Sequence, residues 1–465
     1  MPRATAVRMT TVVGAAALVL AGCTSAGNSG DGGDGGGGLT FWVQEDLPDR
    51  VAKTQAIVDA FTEESGVEVE LVPVAEDQFS QLITSAAAAG DLPDVIGGIS
   101  LPQVRTLSSN ELVDTDAVGA IMDSLDPSTF SERAIELTAD GDTQLAVPSE
   151  SWTQLLLYRS DLFEAAGLAA PDSYDAILEA ARTLDSEDVA GFVGATAPGD
   201  AFTEQTFEHI ALGNGCQLVD DAGQAQLDSD ACVAAFDFYG DLVTNYSVPG
   251  AQDVDTTRAS YFAGDAAMVV WSSFILDELA GLRDDARPSC PECADDPGFL
   301  AANTGVVTAI AGPDATEPAQ FGEITSWTVT AGASTEDAQA FVEYMMGDGY
   351  EPWIEIAPEG KVPVRTGTPD EPTRFSDAWP TLDAGVDTRA PLSDFYAPEV
   401  LEAVAAGPEE LSRWGITQGQ GDLLGALQGE LPVAAAVSEV AQGDDPATAA
   451  QQADEAVQSV ADSLQ

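Results

Sequence analysis

Short apolar runs and amphipathic helical stretches alternate between residues 39 and 98. The strand-like runs are residues 39–43, 67–71 and 94–96. The helical stripes between them are residues 57–61 and 79–86, and glycines follow both as stop signals. A strand–helix–strand–helix–strand order is typical of a parallel sheet covered by helices, because parallel strands need a crossover connection. The sequence therefore predicts an α/β fold.

The same mixture of helices and strands continues along the chain. Further helices are predicted at residues 174–184, 207–212, 231–244 and 336–346, and further extended segments at 192–195 and 266–271. From residue 398 onward the chain is mainly helical and rich in alanine. Residues 39–465 are too many for one compact core, so we expect two sizeable lobes.

The first 22 residues have the composition of an export signal. Two arginines precede an apolar run, residues 12–20, that is too short to span a bilayer. The segment Leu20-Ala21-Gly22-Cys23 resembles the bacterial lipoprotein signature, in which the cysteine receives lipid and becomes the new N-terminus. The alternative is an ordinary secretory peptide with an incidental cysteine. We expect a signal peptide at 1–22, lipidation of Cys23 and an extracytoplasmic location at the cell membrane.

Residues 23–38 are almost entirely glycine, serine, aspartate and asparagine. Such a segment cannot bury apolar surface and behaves as a flexible coil. It is the expected linker between the lipid anchor and the folded body. No later segment has an uncharged apolar run of spanning length, so we expect the rest of the chain to be soluble.

The charge of the chain restricts its partners. It contains 16 basic and 79 acidic residues, a formal net charge of −63. So acidic a surface repels nucleic acid and disfavours anionic ligands unless a local basic pocket overrides it. It also disfavours tight contact with anionic lipid, which fits a tethered protein better than a peripheral one. No nucleic acid partner is expected.

Four cysteines follow the linker: Cys216, Cys232, Cys290 and Cys293. Four cysteines allow three pairings, and the pairing that closes only local loops is Cys216–Cys232 with Cys290–Cys293. The Cys-Pro-Glu-Cys stretch could instead be redox-active or half of a zinc site, but a second pair at metal spacing is missing from the sequence. An exported protein favours structural disulfides.

Five segments, in order, resemble the extracellular solute-binding proteins of ABC importers, in particular the sugar-binding, maltose-binding-protein-like family. They are LTFWVQ at 39–44, AAAAGDLPDVIGG at 86–98, LAVPSESWTQLLLYRSDLFEAAGL at 145–168, FAGDAAMVVWSS at 262–273 and APEGKVPVRTGT at 357–368. Two segments depart from the family pattern: Leu157-Tyr158-Arg159-Ser160 and Ile324-Thr325-Ser326-Trp327. The ligand therefore cannot be copied from a well-known relative.

The resemblance implies a two-lobed periplasmic-binding-protein-like fold, each lobe a mainly parallel sheet flanked by helices, with the ligand in the cleft between them. The implied lobes are residues 39–148 with 327–372 and residues 153–323 with 373–465. The chain would cross between them near 147–152 and 324–328. The implied function is to capture a small neutral ligand, a sugar or oligosaccharide, and to deliver it to the transmembrane subunits of an ABC permease. A monomer is expected.

Ligands of open parallel sheets lie beyond the carboxyl ends of the strands. A sugar site needs aromatic faces for C–H surfaces and carboxylates or amides for hydroxyls. Together with the family's crossing segments, this selects candidate ligand-binding residues: Trp42, Gln44, Glu45, Asp77, Gln78, Ser100, Ser149, Glu150, Trp152, Trp271, Ser272 and Trp327. The family resemblance adds Gln205, which lies just before the predicted helix at 207, where the family often has ligand contacts. The other three tryptophans, Trp353, Trp379 and Trp414, have no such position in the sequence.

Enzyme motifs are poorly represented. The single histidine, His209, excludes a multi-histidine metal site, and neither G-x-S-x-G nor G-x-x-x-x-G-K-[ST] occurs. We expect no catalytic residues, no metal and no other cofactor. Carboxylates are so frequent in the sequence that counting them does not discriminate for or against a glycosidase pair. A surface lipoprotein that hydrolyses glycans and a co-receptor lipoprotein without a small ligand are therefore the alternatives.

Overall fold

The computed structural model describes residues 38–464, except for the side chains of Glu76 and Asp77. Cys23, the signal peptide and all but the last residue of the linker lie outside the described residues. Thirteen strands occur within residues 38–464: β1 (Leu39–Gln44), β2 (Val69–Val74), β3 (Val95–Ile99), β4 (Ala139–Asp140), β5 (Thr143–Gln144), β6 (Val147–Arg159), β7 (Met268–Ser272), β8 (Thr304–Val307), β9 (Gln320–Val329), β10 (Val362–Pro363), β11 (Asp383–Ala384), β12 (Ala390–Pro391) and β13 (Leu411–Ser412).

Twenty α-helices occur in the same range: α1 (Pro48–Ser65), α2 (Glu76–Ala89), α3 (Leu101–Ser109), α4 (Thr115–Leu125), α5 (Glu132–Leu137), α6 (Ser160–Ala166), α7 (Tyr174–Leu184), α8 (Ala201–Gly213), α9 (Asp230–Asn245), α10 (Val254–Ala263), α11 (Ile275–Leu279), α12 (Phe299–Ala302), α13 (Thr335–Met345), α14 (Tyr350–Ile354), α15 (Arg374–Ala378), α16 (Pro398–Ala405), α17 (Gly407–Glu410), α18 (Gly421–Leu427), α19 (Pro432–Ala441) and α20 (Pro446–Ser463). Short 3-10 helices are Pro127–Thr129, Glu292–Ala294, Trp379–Thr381 and Leu392–Asp394. None of the described helices is both long enough and apolar enough to cross a membrane.

The predicted α/β pattern at the start of the body is present. Strand β1 pairs in parallel with β2 on one side and with β3 on the other, and helices α1 and α2 make the connections. Helix α1 begins with proline at its first position and ends at Gly66, which has φ 78°. Glycine adopts that left-handed conformation without steric cost, which is why the helix ends there.

Strand β6 passes through two sets of strands. Its first half pairs with β9, from Val147 opposite Trp327 to Thr153 opposite Gly322. Its second half, from Gln154 to Arg159, pairs with β7 and β8. Strand β9 pairs in turn with β3 near its end and with β13 at its start. The strands β6 and β9 therefore join the two sets of strands, and the segments predicted to cross between lobes, 147–152 and 324–328, lie within them.

Large buried side chains fill three apolar cores. One core contains Phe41, Trp327 and Phe341, whose rings meet at centroid distances of 5.1 to 6.2 Å. A second core lies around α8 and α9, where the Phe207 and Phe236 rings stack at 4.2 Å. A smaller third core includes Phe79 of α2. The first core also includes Leu155 and Trp271, so it contains buried side chains from both sets of strands.

Both predicted cysteine pairs lie at disulfide-bonding distance. The sulfur atoms of Cys216 and Cys232 are 2.01 Å apart and join the segment after α8 to the first turn of α9. The sulfur atoms of Cys290 and Cys293 are 1.94 Å apart. All four cysteines are buried, so a role as exposed redox-active thiols has no support.

Candidate functional site

The carboxyl ends of strands from both lobes meet at the middle of β6 and β9. Strand β3 ends at Ile99 opposite Ser326 of β9, and Val43 near the end of β1 is opposite Gly97 of β3. On the other side, β7 ends at Ser272 opposite Gln154 of β6. The edge of the sheets where ligands of such folds bind is therefore the crossing between the lobes.

Buried polar atoms are concentrated at this crossing. Atoms without a hydrogen-bond partner among residues 38–464 include side-chain oxygens or nitrogens of Ser149, Ser151, Thr153, Gln154, Ser273, Gln320, Thr325 and Ser326. Buried polar groups of native proteins are nearly always hydrogen-bonded. A polar ligand or ordered water between the lobes would supply the missing partners.

The residues predicted after β1 lie at this edge. Trp42 is half-buried, and Gln44 has a buried Oε1 atom. One carboxylate oxygen of Glu45 accepts the backbone N–H groups of Asp46 and Leu47 at 3.0 Å, and the other is 3.7 Å from Arg50. The Glu45 carboxylate thus stabilises the start of α1 in addition to any contact with a ligand.

The predicted residues after β2 and β3 have different surroundings. Asp77 is in the first turn of α2, and its side chain lies outside the described part of the structure. Gln78 is exposed on the same helix. Ser100 is the N-cap of α3 and forms a capping box with Gln103, so a structural role accounts for its position.

On β6, the Glu150 carboxylate has two partners from the C-terminal half. It is 2.7 Å from Lys361 Nζ and accepts the indole N–H of Trp353 at 2.8 Å. Lys361 also lies 3.7 Å from the centre of the Trp353 ring. These partners occupy the Glu150 carboxylate. Neighbouring Ser149 is buried, and Trp152 is half-buried with its ring 5.8 Å from Phe321.

Trp271 and Trp327 belong to the apolar core. Trp271 is 7% exposed, donates its indole N–H to the Val254 carbonyl at 3.2 Å and lies against Phe202. Trp327 is 0% exposed and is covered by Phe41 and by Trp353. Their strand-end positions are as predicted, but the rings turn inward because each meets aromatic neighbours from distant segments. A stacking role for either ring stays a prediction.

The last two predicted residues both keep part of their surface exposed. Ser272 is half-buried at the end of β7, and Gln205 is half-buried on α8.

Sequence reasoning missed a group of charged residues that we call the Asp277 cluster: Arg50, Asp277, Glu278, Arg283 and Glu359. It joins the start of α1, which follows β1, to α11, which follows β7. Arg50 is 3.1 Å from Glu359 and 5.8 Å from the centre of the Phe274 ring. Phe274, a half-buried aromatic residue just after the predicted Ser272, was also missed. Its position beyond the carboxyl end of an apolar strand was the available signal.

A second group, the Arg413 cluster, consists of the half-buried Glu204 and the buried Glu208, His209, Glu323 and Arg413. Arg413 Nη1 is 3.8 Å from Glu208 and 3.5 Å from Glu323. Glu323 accepts the backbone N–H of Leu101 at 2.9 Å, and Glu208 accepts that of Trp414 at 2.8 Å. The cluster therefore ties β9 to α3, α8 and the segment after β13.

Burial changes the ionisation of the Arg413 cluster. Desolvation, together with the neighbouring Glu208 carboxylate, raises the pKa of Glu204 to about 7. Desolvation lowers the pKa of His209 to about 3, so the imidazole is neutral, and its Nδ1 atom accepts the Phe321 backbone N–H at 3.2 Å. Within residues 38–464 no group of three or more His, Cys, Asp or Glu side chains is arranged to hold a metal ion.

The comparisons with known proteins agree with this architecture. A family model described as bacterial extracellular solute-binding protein matches residues 44–352, and the chain belongs to this family. A putative ABC transporter periplasmic-binding protein of Escherichia coli (strain K12), YcjN, is 27% identical over 324 residues, which are 68% of this chain and 70% of YcjN.

Solved structures of similar fold include the GacH receptor of Streptomyces glaucescens GLA.O, studied unliganded and with acarbose. It has a TM-score of 0.69 and 20% identity, over 91% of this chain and 98% of GacH. A sugar transporter from Arthrobacter chlorophenolicus A6 with bound laminaribiose has a TM-score of 0.66 and 19% identity, over 91% and 99%. Maltose-bound MalE3 of T. maritima has a TM-score of 0.67 and 18% identity, over 90% and 98%. These likenesses show the two-lobed solute-binding fold.

Proposed function

We propose that the protein is the substrate-binding subunit of an ABC transporter and captures a sugar or oligosaccharide outside the membrane for transfer to the permease. The observation that carries this proposal is the convergence of strand ends from both lobes on a crossing rich in buried polar atoms without partners. Sugars present many hydroxyl groups that both donate and accept hydrogen bonds. They are therefore suited to a cleft lined by hydroxyl, amide and carboxylate groups.

Half-buried aromatic rings near the crossing support a carbohydrate ligand. Trp42, Trp152 and Phe274 keep part of their surface exposed, and aromatic faces bind the C–H surfaces of sugars. We propose these three rings, together with Gln44 and Ser272, as the first ligand contacts to examine. The predicted lobe boundaries, near 148–153, 323–327 and 372, remain proposals.

The relatives support binding rather than catalysis. GacH was studied with acarbose, the Arthrobacter chlorophenolicus protein with laminaribiose, and YcjN is described as a putative periplasmic-binding protein. The family match favours the binding function over the glycan hydrolase and the ligand-free co-receptor.

The function requires retention near the permease, and we propose that lipid on Cys23 provides it. The lipoprotein-like segment at 20–23 and the glycine-rich linker support this. The Cys23→Ser variant should lose label from a fatty-acid probe and leave the membrane fraction, while a Ser25→Ala control keeps both. A labelled, membrane-bound Cys23→Ser variant would contradict lipid anchoring at this residue.

A thermal-shift screen of the purified protein against a carbohydrate library tests the proposed function. A ligand bound with a Kd of about 1 µM contributes about −8 kcal/mol of binding free energy. At a hundredfold excess over Kd it raises the free energy of unfolding by about 2.7 kcal/mol and therefore raises Tm. Release of reducing sugar from glycans would instead support the hydrolase, and no shift with any carbohydrate would contradict the proposed function.

A further inference from the structure

Asp277 is a buried carboxylate in the Asp277 cluster, which joins α11 to the start of α1. It lies on α11, directly beyond β7 and Phe274, and its side chain is 0% exposed. Neither carboxylate oxygen has a hydrogen-bond partner among the residues that the structure describes. A buried charge without a partner is costly, because it has lost its hydration and gained nothing in exchange.

The arginines around Asp277 are already paired with other carboxylates. Arg50 pairs with Glu359 at 3.1 Å and with Glu45 at 3.7 Å. Arg283 pairs with Glu278 at 3.2 Å and with Asp285 at 2.6 Å, and Arg258 pairs with Glu278 at 2.9 Å. For Asp277 no ion pair within 4.0 Å occurs in the described range, so its carboxyl group is the member of the cluster without a counter-ion.

The buried atoms without partners in this cluster are mostly hydrogen-bond acceptors. They comprise both oxygens of Asp277 and one oxygen each of Glu278 and Glu359, against a single donor, Arg50 Nε, within residues 38–464. A neutral hydroxyl group would donate one hydrogen bond and leave the charge in place. A protonated amine donates up to three and neutralises it.

We infer that Asp277 recognises a protonated amino group on the solute, so that the ligand is an amine-bearing carbohydrate or polyol rather than a neutral sugar. This inference rests on the proposed function and changes the expected neutral ligand to a cationic one. The half-buried Phe274 ring, directly before α11, would lie beside the amine and attract its positive charge. An acidic protein surface also draws cations toward the cleft.

Two matched series of three ligands each test the inference by isothermal titration calorimetry. The probes are glucose, glucosamine and N-acetylglucosamine, and the corresponding galactose series, because acetylation removes the charge and keeps the ring. The amine should bind at least about 30-fold more tightly than either neutral form, the range for a buried charge pair. Asp277→Asn should abolish that preference, whereas Asp295→Asn, a substitution of an exposed carboxylate, should leave it unchanged.

The outcomes separate this inference from the proposed function. Binding of neutral sugars with equal or higher affinity than the amines would overturn the inference and leave carbohydrate binding intact. Binding of no probe in either series would overturn the inference, and the carbohydrate-library screen would then decide the proposed function. Circular dichroism and Tm of Asp277→Asn serve as the folding control; a folded variant that keeps the amine preference would also overturn the inference.

The pH dependence of amine binding by the unmodified protein gives an independent measurement. Burial, with the facing Glu359 and Glu278 carboxylates, raises the pKa of Asp277 well above its usual range, and Arg283 and Arg50 partly oppose this. The carboxylate must be ionised to bind the amine, so over the pH range in which the amine stays protonated, glucosamine affinity should fall as the pH is lowered through the raised pKa of Asp277. An affinity that is constant over this range would contradict recognition by Asp277.

Discussion

Replacing Arg413 with methionine should lower the free energy of unfolding by about 3–5 kcal/mol, the cost of breaking a buried ion pair by removing one partner. Glu208 and Glu323 are 2% and 3% exposed and both face Arg413. Without the guanidinium, two carboxylates stay buried beside each other without a counter-charge. Urea unfolding monitored by tryptophan fluorescence measures the loss.

Arg287→Met is the matched control for Arg413→Met. Arg287 is exposed and pairs with the exposed Asp284, so its removal should cost less than about 1 kcal/mol. A triple variant, Arg413→Met with Glu208→Gln and Glu323→Gln, should recover much of the lost stability because neither of the two carboxylates that Arg413 pairs with remains. Equal stability of Arg413→Met and the unmodified protein would show that the cluster does not hold β9 in place.

Trp327→Ala should lower the free energy of unfolding by a similar amount, about 3–5 kcal/mol, because it leaves a large cavity in the core. The Trp327 ring is fully buried, stacks on Phe41 at 5.1 Å and meets Trp353 edge-on at 5.0 Å. Urea unfolding without ligand measures the change. The half-buried Trp152 provides the comparison, and Trp152→Ala should cost clearly less.

The Trp327 measurement also decides between a core role and a ligand role. Removing a core ring lowers the free energy of unfolding more than it lowers ligand affinity. The affinity is measured on the molecules that remain folded. If Trp327→Ala kept its stability but lost affinity for the ligand found by the library screen, the ring would be a stacking platform. Its assignment to the core would then be wrong.

Local signals in the sequence determined much of the first lobe. Alternating apolar runs and helical stripes predicted β1, α1, β2, α2 and β3, because strand and helix periodicity are properties of neighbouring residues. The short separation within each cysteine pair likewise favoured the two local disulfides, and both pairs lie at bonding distance. The order of five family-like segments predicted the solute-binding fold, which the family match establishes.

The side-chain contacts of the candidate site residues could not be predicted from neighbouring residues in the sequence. Glu150 was predicted to face a ligand, yet its carboxylate is bound by Lys361 and Trp353, more than 200 positions later in the chain. Trp327 was predicted from its strand-end position, but the side of the sheet on which its ring lies depends on Phe41 and Trp353. No spacing in the sequence indicates such contacts.

The sequence by itself determined the α/β architecture, and it predicted an edge of the sheet at which a ligand should bind. Only the tertiary structure decided which charges meet there. Arg50, Asp277 and Glu359 come from three distant segments of the chain. Folding decides which of these charged groups lie next to each other, and burial together with those neighbours then sets the pKa of each carboxyl group. The sequence contains 79 acidic residues and does not show which of their carboxylates lack a counter-ion. The contacts of the folded chain show it.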